Sequence, residues 1–521
     1  MRTWRRRLAL LPAVALATSG CFGSGASLAN ATPTEVRIGL LAPQSGVNSA
    51  AGIDSVRGAQ LAADLINQRY PSITLPLAGT AGIPSLGGAR VKIIPEDTLG
   101  SEQKAADEVT SLATDQQVAA LVGAYDPDVT QAASQRAERL QIPFVNADSS
   151  ATFLTERGLD WYFGLGPSVR NTGEAFFSLL EHQAKAGKKT KNLALIYTDD
   201  RAGNDVATVV RELADEGQYH LLTIATPAIP STGAAGTGGA STGTATGTGT
   251  AATTPATSSP AATATSSPAA GGSPAPATSS PAAGSGSAAG SGSAAGSGSA
   301  PGGSSAAGSG SAGTGASGAA AAAAAAFATR IGQVETSRPD AVFVDVAAQA
   351  IPTLLMAFAS QAQAYVPNAM FSFRSGYLPP SMTAQAGAVL TGMCREASWS
   401  SELATRNAVS RAVTSLYQKK FNASMSDEAA TSFTAVLTTA QAINAAGSIN
   451  AQAIRSGLLG LDVPGSNTIM PWQDIQFDET HQNTGAQSVV EQYMGHSFRP
   501  VYPVDASART FVWPATAAAG A

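Results

Sequence analysis

Two apolar runs, residues 118–122 and 142–145, are each too short for an ordinary helix and are separated by a polar stretch of helical spacing. Such runs read as strands buried on both faces, the condition of a parallel sheet. Parallel neighbours need crossover connections, which are usually helices, so the pair commits this part of the chain to β-α repeats. Asp128, with Gln131 three residues on, is expected to cap the intervening helix. The second run leads into Asn146-Ala147-Asp148-Ser149-Ser150 and another short helix. Two strand-to-helix turns rich in hydroxyls and free amides therefore come from consecutive parallel strands. Helix starts expose unpaired N–H groups and partial positive charge, which suits an anion such as a carboxylate. The simpler account is that Asp128, Ser149 and Ser150 only cap their own helices, and the residues alone favour it.

The same alternation runs along the rest of the chain. Strands are predicted at 36–41, 91–94, 162–165, 193–197, 221–225, 341–346, 369–373 and 388–393. Helices are predicted at 56–66, from Ser101 to about 112, from Ser168 to about 186, and at 204–216, 327–334 and 352–362. Two long helices, 404–421 and 428–446, and a shorter one at 451–459 precede a hairpin-like pair, 472–477 with 489–494. Sheets built this way are parallel and doubly wound, with ligands at the carboxyl ends of the strands.

One stretch interrupts the pattern. No charged residue occurs between Leu221 and Thr329, and most of that span is Gly, Ala, Ser, Thr and Pro, with TSSPAA and AAGSGS repeats and a closing alanine run. So little apolar side chain cannot offset the entropy of ordering, and the segment is expected to be disordered. The alternation resumes beyond it, so residues 229–320 are read as a loop extension inside one lobe, tolerated because closure entropy grows slowly with length.

The first residues read as a targeting segment: Arg2 and Arg5-Arg6-Arg7, an apolar stretch from Leu8 to Ala17, then Ser19-Gly20-Cys21. This is similar to a bacterial lipoprotein signal, which would lipidate Cys21 and make it the mature N-terminus. Thr18 stands where that pattern usually has Leu, and the alternative is ordinary secretion with cleavage near residues 29–31. The apolar stretch is too short to span a bilayer. Losing the arginines ahead of Cys21 makes the mature chain more acidic than the −5 of the whole sequence, so nucleic acid is not an expected partner. Cys394 would then be the single cysteine, expected as a buried strand residue with no disulfide.

Catalytic signatures are missing. His182, His220, His481 and His496 have no spacing that puts two on one helix face, so zinc chemistry is unsupported. Ser101-Glu102-Gln103-Lys104 matches SxxK formally but lacks the companion motifs and reads as a helix cap. No phosphate-loop lysine motif occurs. Neither an enzyme nor a cofactor is expected.

The order of elements and several strings carry a resemblance. IGLLAPQSG followed by RGAQLAADLIN, the segment around VAALVGAYDPDV and LQIPFVNADSS, SRPDAVFVDV, and GLLGLDVPGS with WQDIQFDE together resemble type I periplasmic binding proteins, in the branched-chain amino-acid-binding branch of ABC importers. The resemblance covers about 36–503 apart from the insert. It implies an α/β clamshell of two doubly wound, Rossmann-like lobes closing on a small ligand. Its layout would be a signal at 1–20, a spacer at 21–35, a first lobe of 36–160 with 399–480, and a second of 161–398 with 481–510.

Carried over residue by residue, the resemblance implies ligand contacts at Asp148, Ser149 and Ser150, with Ser150 keeping a hydroxyl where the family binds a carboxylate. The earlier turn, serine-rich in the family, reads Tyr125-Asp126-Pro127-Asp128. In the second lobe the family's Tyr-Gly becomes Ala202-Gly203, and an aromatic position becomes Ala348, beside Gln349. The acid that pairs with a ligand ammonium falls on Arg374, which favours a second anionic group on the ligand. Tyr125, Trp161 and Trp399 are candidate cleft walls. The implied function is capture of a small polar ligand, an amino acid or a carboxylate-bearing metabolite, for an ABC permease, with a membrane lipid anchor outside the cytoplasm. The alternative is a sensor of the same fold.

Overall fold

The computed structural model describes residues 33–46, 48–226, 314–346, 350–351, 353–354, 357–358, 367–373, 390–405, 407–504 and 509–515. The leader with Cys21, residues 229–313 of the insert, and most of the helix predicted at 352–362 lie outside them, as do Gln349 and Arg374.

The first sheet is built from β1 (Glu35–Ala42), β2 (Arg90–Asp97), β3 (Ala120–Val122), β4 (Phe144–Asn146) and β5 (Tyr162–Gly164). Its order is β2-β1-β3-β4-β5 and every neighbouring pair is parallel. The second sheet contains β6 (Asn192–Thr198), β7 (His220–Thr226), β8 (Ala341–Asp345), β9 (Ala369–Ser372) and β10 (Met393–Ala397). A short antiparallel pair, β11 (Val463–Pro464) with β12 (Asp474–Ile475), stands apart, and β13 (Val489–Met494) and β14 (Ser497–Tyr502) extend the second sheet beyond β10. That sheet runs β14-β13-β10-β9-β8-β6-β7. Its parallel part repeats the order of the first sheet, with the second strand outside the first and the third, fourth and fifth following on the other side. Each lobe thus has a switch point between its first and third strands, where crossovers leave in opposite directions and a crevice opens at the carboxyl ends.

The helices start where short polar side chains can take up orphan N–H groups. Around the first sheet lie α1 (Ser49–Asn67), α2 (Glu102–Thr114) and α3 (Pro127–Leu140). Ser101 caps α2 by accepting from the Lys104 N–H at 3.3 Å. Around the second lie α4 (Val169–Lys185), α5 (Arg201–Glu216) and α6 (Thr314–Ser337). Ser168 and Asn171 form a reciprocal capping box on α4, and Asp200 caps α5 by accepting from the Gly203 N–H at 2.7 Å. Helix α6 begins well before the predicted 327, running back through the alanine run, because alanine has the strongest helix propensity. It packs Phe327, Ile331 and Val334 against Val342 and Val344 of β8, so the segment leaving β7 returns to the same lobe.

Three more helices, α7 (Ala408–Phe421), α8 (Asp427–Ala446) and α9 (Ala451–Leu459), return to the first lobe. Almost all of α8 is buried, and it lies directly on α1. Gly58 permits this approach: a Cβ there would sit 2.0 Å from the Ala429 carbonyl oxygen. The second lobe is filled by aromatics instead, with Phe176, Phe343, Phe371 and Phe373 in mutual contact under the sheet.

Several sequence expectations change. Residues 162–164, counted above with the second lobe, form β5 of the first sheet, and the His481–Asn483 segment pairs with that strand, so neither belongs with the second lobe. The hairpin expected from 472–477 and 489–494 does not form: β12 pairs with β11 while β13 pairs with β10 and β14. The strand predicted at 388–393 starts only at Met393, after a turn at Gly392 with φ +79°. The chain crosses between lobes after β5, after β10 and before β13.

Candidate functional site

All three crossovers meet at a cavity of about 190 Å³ between the lobes. From the first lobe it is lined by Asn48 before α1, the Tyr125-Asp126-Pro127 turn after β3, and Ala147 to Ser150 after β4. The amino end of α8 adds Asp427, Glu428 and Thr431. The crossovers contribute Pro167, Glu396 to Ser398, and Ser488, and α4 contributes Thr172. The volume lies below the ~300–1,000 Å³ of pockets for drug-sized molecules, so a ligand here is small.

Tyr125, Asp126, Asp148, Ser149 and Ser150 are therefore brought together as the two-turn pattern suggested. Asp126, not Asp128, caps α3, accepting from the Asp128 N–H at 3.1 Å, because Pro127 takes the first helical position, where a missing N–H costs nothing. Tyr125 has φ +79°, a strained value for a bulky side chain, and its half-buried ring borders the cavity. Asn146 stiffens the second turn, donating to the Gly123 carbonyl at 2.7 Å and accepting from the Ser149 N–H at 3.0 Å. The Ser149 hydroxyl is buried without a hydrogen-bond partner. Ser150 joins the lobes through its carbonyl, which accepts from the Val169 N–H at 2.7 Å.

Trp161 and Trp399 are not cavity walls. Trp399 is 2 % exposed in the first-lobe core, its indole donating to the Ile469 carbonyl at 3.1 Å. Trp161 is buried at the start of β5, held by its backbone N–H to Glu138 at 3.0 Å. Cys394 is buried in β10, as expected, and burial pushes its thiol up.

The sequence reading missed Glu396, Asp427 and Glu428. With Asp126 and Asp148 they place five carboxylates on one small cavity, and the described lining has no Lys, Arg or His. Asp148 accepts from the Thr431 hydroxyl at 2.5 Å, and burial, only partly offset by that bond, pushes its carboxyl up to about 6. Both Asp427 oxygens accept from the Ser398 N–H, at 3.2 and 3.0 Å, which ties a crossover to α8. Glu396 accepts from Thr172, whose hydroxyl also shares a 2.9 Å bond with Ser488. Burial raises the carboxyls of both Asp427 and Glu428, and for Glu428 the neighbouring Asp427 charge adds to it. Arg395, whose charge acts on Asp427 and Glu428, donates to Glu491 through Nε at 2.9 Å and Nη2 at 2.7 Å. Among the described residues, no cluster of His, Cys, Asp or Glu has a geometry that could hold a metal ion.

The lobes also touch beside the cavity. Asp205 of α5 accepts from the Thr152 N–H at 2.7 Å, and the Arg201 guanidinium lies 3.9 Å from the Phe153 ring centre and donates to Gln131. The segment around Ala202-Gly203 thus contacts the opposite lobe and is not among the cavity's lining residues.

Doubly wound twin lobes joined by three crossovers around a small cleft are mirrored in the comparisons with known proteins. A family described as periplasmic binding protein matches residues 35–235. Over that stretch, less than half of its 521 residues, the chain is similar to the periplasmic binding proteins. A Leu/Ile/Val-binding protein homolog 7 of Brucella suis is 28% identical over 188 residues, 35% of this chain and 43% of that protein. A homolog 8 of Brucella abortus is 29% identical over 177 residues, 33% of this chain and 40% of its own length. The chain thus aligns with less than half the length of these curated relatives. Among solved structures, a leucine-binding protein of Thermotoga maritima superposes with a TM-score of 0.59 at 13% identity, covering 90% of this chain and 99% of that one. A solute-binding protein of Rhodopseudomonas palustris in complex with benzoate gives 0.56 at 14% identity, covering 90% and 95%. At such identities the likeness is one of fold.

Proposed function

We propose that the protein is an extracytoplasmic solute-binding component of an ABC importer, capturing one small polar ligand bearing an amino group in the interlobe cleft. The observation that carries this reading is the cavity itself, since it lies at the carboxyl ends of the first-lobe strands, where the doubly wound topology opens a crevice, and is closed off by all three crossovers. Two chemistries meet there. The Ser149-Ser150 turn and the amino ends of α3, α4 and α8 suit a carboxylate, while Asp148, Glu396, Asp427 and Glu428 suit an ammonium. Amino acids present both groups. The acid lining favours a ligand that carries a cationic group. The ABC permease and a membrane lipid anchor at Cys21 complete the reading, in which the protein acts as a carrier and not as an enzyme.

A thermal-shift screen of the purified protein with amino acids, diamines, dicarboxylates, aromatic acids and amides tests it, because a ligand that binds only the folded state raises the melting temperature. Substituting Asp148 by Asn and Ser150 by Ala is expected to reduce the shift for any hit. If no class of solute raises the melting temperature, solute capture is refuted.

A further inference from the structure

We propose that the cleft selects a small ligand of net positive charge, a diamine or a basic amino acid, whose cationic end lies against Glu428, Asp427 and Asp148 of the first lobe. This rests on the interlobe cleft being the capture site and adds the charge class of the ligand. Five carboxylates face one cavity of about 190 Å³ without a basic residue among its described lining. A neutral zwitterion such as leucine brings no net charge to them. A ligand with a second cationic centre does.

Two polar groups on the cavity, one a buried charge and one a hydroxyl without a partner, are also in place for a ligand. Glu428 is only 6 % exposed and its carboxylate accepts from its own backbone N–H, while Asp148 and Asp427 accept from Thr431 and Ser398. A buried carboxylate is costly unless an opposite charge offsets its loss of hydration. The Ser149 hydroxyl, also on the cavity, is buried without a partner. Both groups are fixed before any ligand arrives. Glu428 stands near the start of the almost wholly buried α8, and Ser149 is held by Asn146. An organic ammonium supplies several N–H donors at once, and a guanidinium supplies a planar set.

The charged and titratable groups facing Glu428 are Asp427 on its own helix, Asp148 from the turn after β4, and Arg395 from β10, while Asp427 also faces Glu491 of β13. The Tyr125 phenol sits among the same acids. In the empty cleft, burial and mutual repulsion keep protons on part of this set. A bound cation reverses that balance, so binding releases protons and strengthens as pH rises.

Titration calorimetry on the full chain, refolded from denaturant to strip carried-over solute, tests the assignment. The probes are putrescine, lysine, arginine, leucine and benzoate, at pH 6 and pH 8, each in two buffers of different ionisation enthalpy. At least one cationic probe is expected to bind, about tenfold or more tighter at pH 8 than at pH 6, with measurable proton release. Glu428→Gln is expected to weaken that probe about tenfold or more and to reduce the proton release, with the folded state verified by circular dichroism. Should that variant not fold, Ser149→Ala serves in its place with the same expectation for affinity. Binding of leucine or benzoate while every cation fails overturns the charge assignment and leaves solute capture standing. Cation binding that is indifferent to pH and to the substitutions overturns it too. Failure of all five probes overturns the cation assignment and removes support from solute capture.

Discussion

Asp148→Asn is expected to stabilise the empty protein at neutral pH. In the native state the Asp148 carboxyl is pushed up from 3.8 to about 6, chiefly by burial. A folded value above the unfolded one means that the native state holds more protons between those limits, so stability falls as pH rises through that window. Above it the cost of the buried charge is fully present; below about pH 4 it is absent. A shift of roughly two units corresponds to ~3 kcal/mol at ~1.4 kcal/mol per unit, an upper figure because the pocket admits some solvent. Asparagine removes the charge while keeping an acceptor for the Thr431 hydroxyl. Urea unfolding followed by tryptophan fluorescence on ligand-free protein measures this. At pH 7.5 the variant should gain about 1–3 kcal/mol, a gain that shrinks to nothing near pH 4. A pH-independent difference, or a loss at pH 7.5, would refute the claim that burial of this charge dominates. The same substitution should weaken capture of an amine, the expected trade of stability against a function that needs unmet charge.

Other parts of the molecule give further expectations. Glu491→Gln removes the carboxylate charge that Arg395 meets at 2.7 Å and should cost about 1–3 kcal/mol in denaturant unfolding, more than removal of the exposed Arg170 network. Gly58→Ala drives a methyl group into the Ala429 carbonyl, separating α1 from α8, and should lower the melting temperature by several degrees. Arg201→Ala removes the stacking on Phe153 and the bond to Gln131; small-angle scattering should then show a larger radius of gyration, with little change in melting. Cys394 should resist thiol reagents in the native protein and react on unfolding, because it is buried and its thiol is pushed up.

The part of the site legible in the sequence was the part that follows directly from strands. Tyr125, Asp126, Asp148, Ser149 and Ser150 come just after short apolar runs, and the carboxyl ends of parallel strands are where ligands bind. Asp427 and Glu428 carry no such mark. Acids in the first turn of a helix are already explained by the helix dipole, and only the fold brings Thr431 to Asp148 across 283 residues of chain. Thr172 and Ser488, 316 residues apart, are hidden in the same way. A nearer error was avoidable, since Pro127 marks a first helical position and makes Asp126 the cap. The β5 assignment was not: Tyr162–Gly164 is apolar in either lobe, and only its register with Phe144–Asn146 decides the sheet.

Closure and charge recognition are carried by different residues. The lobes meet through Asp205, Arg201 and Ser150 with Thr152, Gln131, Phe153 and Val169, whereas most of the acids project from the first lobe and the crossovers. Glu428, set on a helix packed against α1 by the Gly58 contact, cannot relieve its burial by moving out into water. Its cost is therefore borne whenever the lobes are together. A ligand shifts the balance between open and closed only by the difference in its affinity for the two. A charge that is buried in the closed cleft and met there by the ligand's cation gives that difference directly. Substitutions at Arg201 or Asp205 should accordingly alter how readily the lobes close while leaving the ranking of ligands intact, and substitutions at Glu428 or Asp148 should do the reverse.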